Sequence, residues 1–189
     1  TTTAINIAST IAASGERVLV IDADLRRPTV AKLMRLEGSV GLTTVLIGEA
    51  RLEQVIQPTN DSLMDVLASG PVPPNPAELL GLPHMQQLIA EASRRYDTVI
   101  IDSPPLLPVT DAAVLSRVTD GTLVLVGSSI ARRPELEKAL EKLEMVGARV
   151  LGLLLTRVRG GDAGTYHYEY VYGQDGQSSS RTSRDKNAP

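Results

Sequence analysis

Two acidic residues stand where an apolar run ends. Val18 to Ile21 is a short continuous apolar stretch, followed at once by Asp22 and then by Asp24 in VLVIDADLRRP. A run of that kind reads as a buried parallel strand, and in open parallel sheets ligands bind outside the carboxyl ends of the strands. Two carboxylates placed there can face one crevice if the chain turns, one serving a metal and the other a substrate proton. Taken alone, the pair is more simply ordinary loop charge, including a helix N-cap. Asp102 repeats the pattern at the end of VIIDSPP. An Asp after an apolar strand suits the acidic partner of a nucleotide-bound magnesium, usually held through water. One such strand end is a weak signal; two in a small alternating chain are much harder to dismiss.

A different chemistry is suggested by Tyr166, Tyr168, Tyr170 and Tyr172, four of the five tyrosines within seven residues, alternating with His167, Glu169 and Val171. Alternation would put all four on one face of an edge strand. The flanks GGDAG and GQDGQSSS give such a strand nothing to pack against. Tyrosines on a flexible tail can each reach an active site without unfolding a core, so we read them as phosphate acceptors. The remaining candidates have plainer readings. Tyr96 precedes a strand and is read as packing. His84 and His167 have no partner at metal spacing, and Arg94-Arg95 and Arg132-Arg133 are read as solvated helix ends.

The elements that must position these groups follow from periodicity. Ala4, Ile7, Ala8, Ile11 and Ala12 recur at helical spacing, with Gly15 as the stop. After the strand over 18–21, short helices are predicted over 28–36, 41–47 and 52–56, then a strand over 63–67. The proline-rich stretch 70–76 is a loop, because Pro fixes φ and removes donors. A helix over 83–95, a strand over 98–101, a helix over 110–118, a strand over 122–126, a helix over 134–146 and a strand over 150–155 complete the series. Strands alternating with helices imply an α/β fold, a mostly parallel sheet with helices on both faces. Residues 1–159 form the predicted domain. Over 160–189 the only member of Leu, Ile, Val and Phe is Val171, so that segment is expected to be a flexible tail.

Composition limits the function classes. Of 189 residues, 42% are hydrophobic and 22% charged, as in an ordinary globular protein, with neither Phe nor Trp to fill the core. A net charge of −3 argues against a dedicated nucleic-acid binder. The absence of Cys excludes disulfides and thiolate metal sites and fits a reducing cytosol. No run reaches the 18 or so apolar residues of a membrane span.

The opening Thr1-Thr2-Thr3-Ala4-Ile5 runs into a helix with no initiator Met and no cap, and so reads as beginning inside a longer chain. A P-loop, Gly-x-x-x-x-Gly-Lys-Ser/Thr, opens directly into a helix with its hydroxyl on magnesium, and TTTAINIA is what should follow its lysine. With IDADLRRPTVAKLM, GLTTVLIGEARLEQVIQPT, ASGPVPPNPAELL, YDTVIIDSPPLLPVTDA and the tyrosine-rich end, the sequence resembles the bacterial tyrosine kinases of capsular and exopolysaccharide biosynthesis. These are P-loop proteins related to the septum-site and chromosome-partition (MinD/ParA) ATPases. The Arg26-Arg27-Pro28 run separates the kinases from the partition ATPases.

The resemblance, which runs from Thr1 to about Tyr172, implies an ATP-dependent autokinase that transfers the γ-phosphate to the tyrosine cluster of a neighbouring subunit, with ATP and Mg2+ as cofactors. It implies Thr1 and Thr2 at the nucleotide, and Thr1, Asp24 and Asp102 at the metal. Asp22, Asp24 and Asp102 would be catalytic, with Asp22 taking the tyrosine proton. The implied partners are a membrane chain-length regulator or activator, fused or separate, further copies of the chain, and a tyrosine phosphatase. Nucleic acid is not among them, and the implied place is the cytoplasmic face of the inner membrane. The P-loop glycines and lysine, with the strand before them, would lie upstream of Thr1, so residues 1–189 alone are expected to be inactive and to hold ATP weakly. The family commonly has Asn near the end of the last strand where this chain has Thr156, so neither Arg157 nor Arg159 is assigned to the base. The rival is a septum-site or partition ATPase switch. Its membrane-targeting version would end in a basic amphipathic helix, whereas this chain ends SSSRTSRDKNAP.

Overall fold

The computed structural model describes residues 1–158, apart from Ser62 and Ser129. Thr1–Arg157 makes up one unit, and of a second, Val158–Pro189, only Val158 is described. The elements in chain order are α1 (Thr2–Ala13), β1 (Val18–Asp22), α2 (Val30–Met34), α3 (Leu42–Leu46), α4 (Leu52–Val55), β2 (Ile56–Pro58) and β3 (Met64–Leu67). Then follow α5 (Pro76–Leu80), α6 (Pro83–Ala92), β4 (Thr98–Asp102), α7 (Asp111–Leu115), β5 (Thr122–Gly127), α8 (Arg133–Met145) and β6 (Val150–Thr156).

β1 is buried along its whole length because it is central to a four-stranded sheet of order β2-β3-β1-β4. It runs parallel to β3 and β4, and β2 lies antiparallel on the far side of β3. The alternation of β1 side chains divides the core. Val18 and Val20 meet Ala8 and Ala12 of α1 with Val30, Met64 and Val66. Leu19 and Ile21 meet Leu42, Leu46, Leu80, Met85, Leu88 and Leu115 on the other face. Helices thus cover both faces, as the alternating pattern predicts. Each Leu or Ile buried this fully contributes about 1.5–3 kcal/mol relative to exposure, which explains how a core without Phe or Trp holds together.

β5 and β6 form a separate parallel pair. Leu123, Leu125, Leu151, Leu153 and Leu155 on that pair are all exposed. The single sheet predicted from alternation is therefore two sheets among the described residues, parted between β4 and β5.

Three local departures have simple causes. The stretch 52–56, predicted helical throughout, leaves the helix at Ile56 and becomes edge strand β2. Pro58 ends it, since Pro is tolerated only on sheet edges. The loop read over 70–76 gives way at Pro76 to α5, where Pro occupies a first-turn position that lacks an N–H partner anyway. Finally, Gly41 bridges Ser69 just beyond β3, and a Cβ on Gly41 would run into the Ala68 carbonyl. This close approach seats the GLTT segment against ASGP at the carboxyl end of the sheet.

Candidate active site

Asp22 and Asp102 are register partners at the carboxyl ends of β1 and β4. Parallel pairing brings together, on adjacent strands, two carboxylates that are eighty residues apart in sequence. The loop after β1 then wraps around the first of them. Asp22 Oδ2 accepts the N–H groups of Thr29 at 3.0 Å and Val30 at 2.9 Å, and Oδ1 accepts that of Asp24 at 3.2 Å. Thr29 is the N-cap of α2 and Val30 its first residue, so Asp22 satisfies donors that the helix start would leave unpaired. Asp22 has no accessible surface. Burial pushes its carboxyl above the usual range, the bonds from Val30 and Thr29 pull it down, and the neighbouring Asp102 charge adds to the rise.

Asp24 is half-buried, and its Oδ1 accepts the N–H groups of Arg26 at 3.2 Å and Arg27 at 3.0 Å. Asp102, 8% exposed, accepts the Thr1 hydroxyl on Oδ2 at 2.5 Å, and its Oδ1 lies 3.2 Å from the Thr1 backbone nitrogen. Thr1 Oγ1 is also 2.8 Å from Thr29 Oγ1. A hydroxyl has one proton, and that of Thr1 goes to Asp102, so Thr29 donates to Thr1. Thr1, Thr29, Asp22 and Asp102 are thus one connected network. Asp24 joins it through its backbone N–H on Asp22. Thr2 opens α1, is exposed, and makes no side-chain hydrogen bond among the described residues.

A hard cation suits this donor set of hydroxyl and carboxylate oxygens. Among the described residues no three His, Asp or Glu side chains cluster tightly enough to hold a metal by themselves. Magnesium needs no such cage, since it is commonly held by one or two carboxylates with water and substrate phosphate. Thr1 and Asp102 fit that pattern. Asp24 reaches it only if its carboxylate turns from the loop N–H groups.

Three participants were not singled out from sequence. Thr29 lies inside the RRPTVAKLM segment, Asp111 at the end of LLPVTDA, and Lys142 on α8. Arg26 Nε and Nη2 donate to Asp111 Oδ2 and Oδ1 at 2.9 and 3.0 Å. Lys142 Nζ donates to the carbonyls of Leu106 and Val109, each at 2.9 Å. The only sequence signal was that an Arg and an Asp each followed an acidic strand end.

The plainer readings of other residues are refined rather than replaced. Tyr96 packs against the core and also donates its hydroxyl to Asp65 Oδ2 at 2.7 Å. Burial, then that bond, raise its phenol well above the usual value. His84 is exposed on the first turn of α6. Arg95 pairs with Glu91 and Glu53, and Arg133 with Glu137, at exposed positions. Thr156 donates to the Val126 carbonyl within its own sheet, and Arg157 follows it at φ 58°. Arg159, Tyr166, Tyr168, Tyr170 and Tyr172 lie outside the described residues, as does the tail read over 160–189.

Comparison with known proteins fits this arrangement. A family model described as an AAA domain matches residues 1–144. The chain is 44% identical over 171 residues to tyrosine-protein kinase YwqD of Bacillus subtilis, covering 90% of this chain and 70% of that protein. It is 38% identical to tyrosine-protein kinase wzc of Salmonella typhi, covering 87% of this chain but 24% of that longer protein. The solved kinase domain of the Escherichia coli tyrosine kinase ETK superposes with a TM-score of 0.77 at 36% identity, over 87% of this chain and 66% of that one. The septum site-determining protein MinD of Pyrococcus horikoshii, solved with Mg-ADP, matches at a TM-score of 0.67 and 22% identity over 80% of this chain and 62% of that one, a likeness of fold alone. The chain belongs to the family of bacterial tyrosine-protein kinases.

Proposed function

We propose that the protein carrying this chain is an ATP-dependent tyrosine autokinase that regulates capsular or exopolysaccharide biosynthesis and export. The observation that supports it best is the pairing of Asp22 with Asp102 in register, with the Thr1 hydroxyl on Asp102. Catalysis of phosphoryl transfer consists of positioning and charge stabilisation, because the transition state is loose. This network is a positioning device built from backbone and hydroxyl contacts.

Thr1 and Asp102 would hold magnesium beside the nucleotide phosphates, with Thr2 next to them. The chemistry such an ion supplies when bound is neutralisation of phosphate charge. Asp102 orients the Thr1 hydroxyl, and Thr29 fixes it from the other side. For the proton-accepting role that the resemblance gives to Asp22, the geometry favours Asp24. Asp22, without accessible surface and with three N–H groups on its oxygens, braces the loop and cannot meet a substrate phenol in this conformation. Asp24 is the partly accessible carboxylate of the pair. We therefore assign to Asp24 the acceptance of the tyrosine proton. A phenol with a pKa near 10 benefits from a nearby base as the new bond forms.

The acceptors in this reading are Tyr166, Tyr168, Tyr170 and Tyr172 of a neighbouring copy. A membrane activator recruits the protein to the cytoplasmic face of the inner membrane, and a tyrosine phosphatase reverses the reaction. No helix among the described residues is long and apolar enough to cross a membrane. The roles of the two carboxylates separate in full-length protein incubated with ATP and magnesium. Asp24→Asn is expected to lower phosphotyrosine formation by about 100-fold with the fold unchanged, whereas Asp22→Asn loosens the loop and lowers stability as well as rate. Wild-type rates in Asp24→Asn, with folding confirmed by circular dichroism, would exclude it as the base.

A further inference from the structure

Among the described residues one side-chain ion pair joins the loop after β1 to the loop after β4, and its burial sets it apart from the other side-chain pairs described. Arg26 presents a two-pronged fork to Asp111 at 2.9 and 3.0 Å, across 85 residues of sequence. Asp111 is wholly buried while the Arg26 side chain is 40% exposed. Paired forks of this kind fix direction as well as distance. The same Arg26 donates its backbone N–H to Asp24 Oδ1 at 3.2 Å. One residue therefore holds Asp24 through its main chain and the other loop through its side chain.

The loop on the far side is itself held. Residues 103–110 leave Asp102 without regular structure and end at Asp111, the first residue of α7. Lys142 ties the middle of that stretch to α8 through the Leu106 and Val109 carbonyls. On the near side, the strand register fixes Asp22 beside Asp102. Ala23 N–H also donates to the Asp102 carbonyl at 2.8 Å, which holds the backbone entering the loop. Beyond it, the Arg26–Asp111 contact is the side-chain tie that sets the rest of the loop, with the Asp24 carboxylate, against Asp102. Removing the arginine would leave a buried carboxylate uncompensated, and the structure would have to open to solvate it.

The geometry points to Arg26 and Asp111 as a latch that sets Asp24 against Asp102, which makes Arg26 a positioning residue for phosphoryl transfer. This role rests on the kinase reading above; the latch itself does not. Its loss should lower kcat with little change in KM for ATP, because the latch orders the reacting geometry and touches no nucleotide-binding group.

The test uses full-length protein and compares Arg26→Gln, Arg26→Lys and the swap Arg26→Asp/Asp111→Arg. Arg17→Gln, which breaks an exposed Arg–Asp fork elsewhere, is the control. Arg26→Gln is expected to lower kcat at least about tenfold with KM for ATP within about threefold, and to raise amide exchange over 23–30 about tenfold while β1 stays protected. Arg26→Lys and the swap should recover part of the loss, and Arg17→Gln should change neither readout. If Arg26→Gln does not fold, Arg26→Lys is read alone and should show the same changes in smaller measure. A kcat within about twofold of wild type, a loss carried by KM, or unchanged exchange over 23–30 overturns the latch. Absence of phosphotyrosine in wild type would sink the kinase reading instead, and the exchange data alone would then decide the latch.

Discussion

β1 and β4 are tied together at both ends by an arginine from the first strand's flank and an aspartate from the second's. At the amino ends, Arg17 donates to Asp97 from its side chain and its backbone, and both side chains are about half exposed, at 56% and 46%. At the carboxyl ends, Arg26 grips an Asp111 with no exposure at all. The two pairs have the same fork and nearly the same distances. In water such a pair contributes little, because each charge is already solvated. When the carboxylate is buried, the pair becomes a requirement for the loops to sit where they do. The end of the sheet where ligands bind in open α/β folds is also the end where polar groups have been taken out of water. Tyr96 and Asp65, also at the amino ends, form the intermediate case of a half-buried hydrogen bond.

The contrast is broken most directly by activity. Asp102→Asn in the full-length protein removes the charged acceptor of the Thr1 hydroxyl and should lower phosphotyrosine formation by about 100-fold or more. Asp97→Asn, the matching change five residues earlier, should leave the rate within about twofold of wild type. Equal effects in a quantitative phosphotyrosine assay would mean that the two ends do not differ as argued.

A smaller effect is expected at Asp22, and its sign can be fixed. Burial raises this carboxyl in the folded state. Its ionisation therefore costs folding free energy that is absent below the unfolded value and grows as pH rises through the folded one. Asn at this position carries no such cost but offers one fewer acceptor to the loop N–H groups. The melting temperature of Asp22→Asn relative to wild type should therefore improve between pH 4 and pH 7, as read by thermal scans at the two values. A difference that worsens with pH would show that the N–H bonds outweigh burial.

Tyr96→Phe removes one hydrogen bond at the amino ends and should cost about 1 kcal/mol in denaturant unfolding, with the kinase rate unaltered. Smallest of all, Arg17→Gln should leave the unfolding midpoint within experimental error of wild type. A large loss there would show that exposure does not discount this pair.

How far the site was legible in sequence depended on what carried the signal. Asp22 and Asp102 stand out because an apolar strand ending in Asp is a local pattern, and parallel pairing then makes them neighbours. The helix over α1 was legible from its alanines and Gly15. Thr29 and Asp111 were hidden because their roles come from contacts 28 and 85 residues away in sequence, which no local period reports. For Asp22 the sequence left both readings open, a helix cap and a catalytic carboxylate, and only the contacts decide for the cap. A carboxylate that caps a helix and one that takes a proton look alike until the loop N–H groups are seen around it. β2 escaped because Ile56 continues the apolar spacing of α4, and only the pairing with β3 reveals a strand. The break between β4 and β5 escaped because alternation reports that strands are present, not which ones pair.

The central claim is that the carboxyl ends of β1 and β4 form a tyrosine kinase site. It is tested most directly by mapping phosphate on the full-length protein after incubation with ATP and magnesium, using mass spectrometry on wild type and Asp24→Asn in parallel. Phosphate is expected on one or more of Tyr166, Tyr168, Tyr170 and Tyr172 in wild type and is expected to be nearly absent in the variant. Phosphate confined to Ser or Thr, phosphate nowhere, or equal tyrosine modification in both proteins would contradict the central claim.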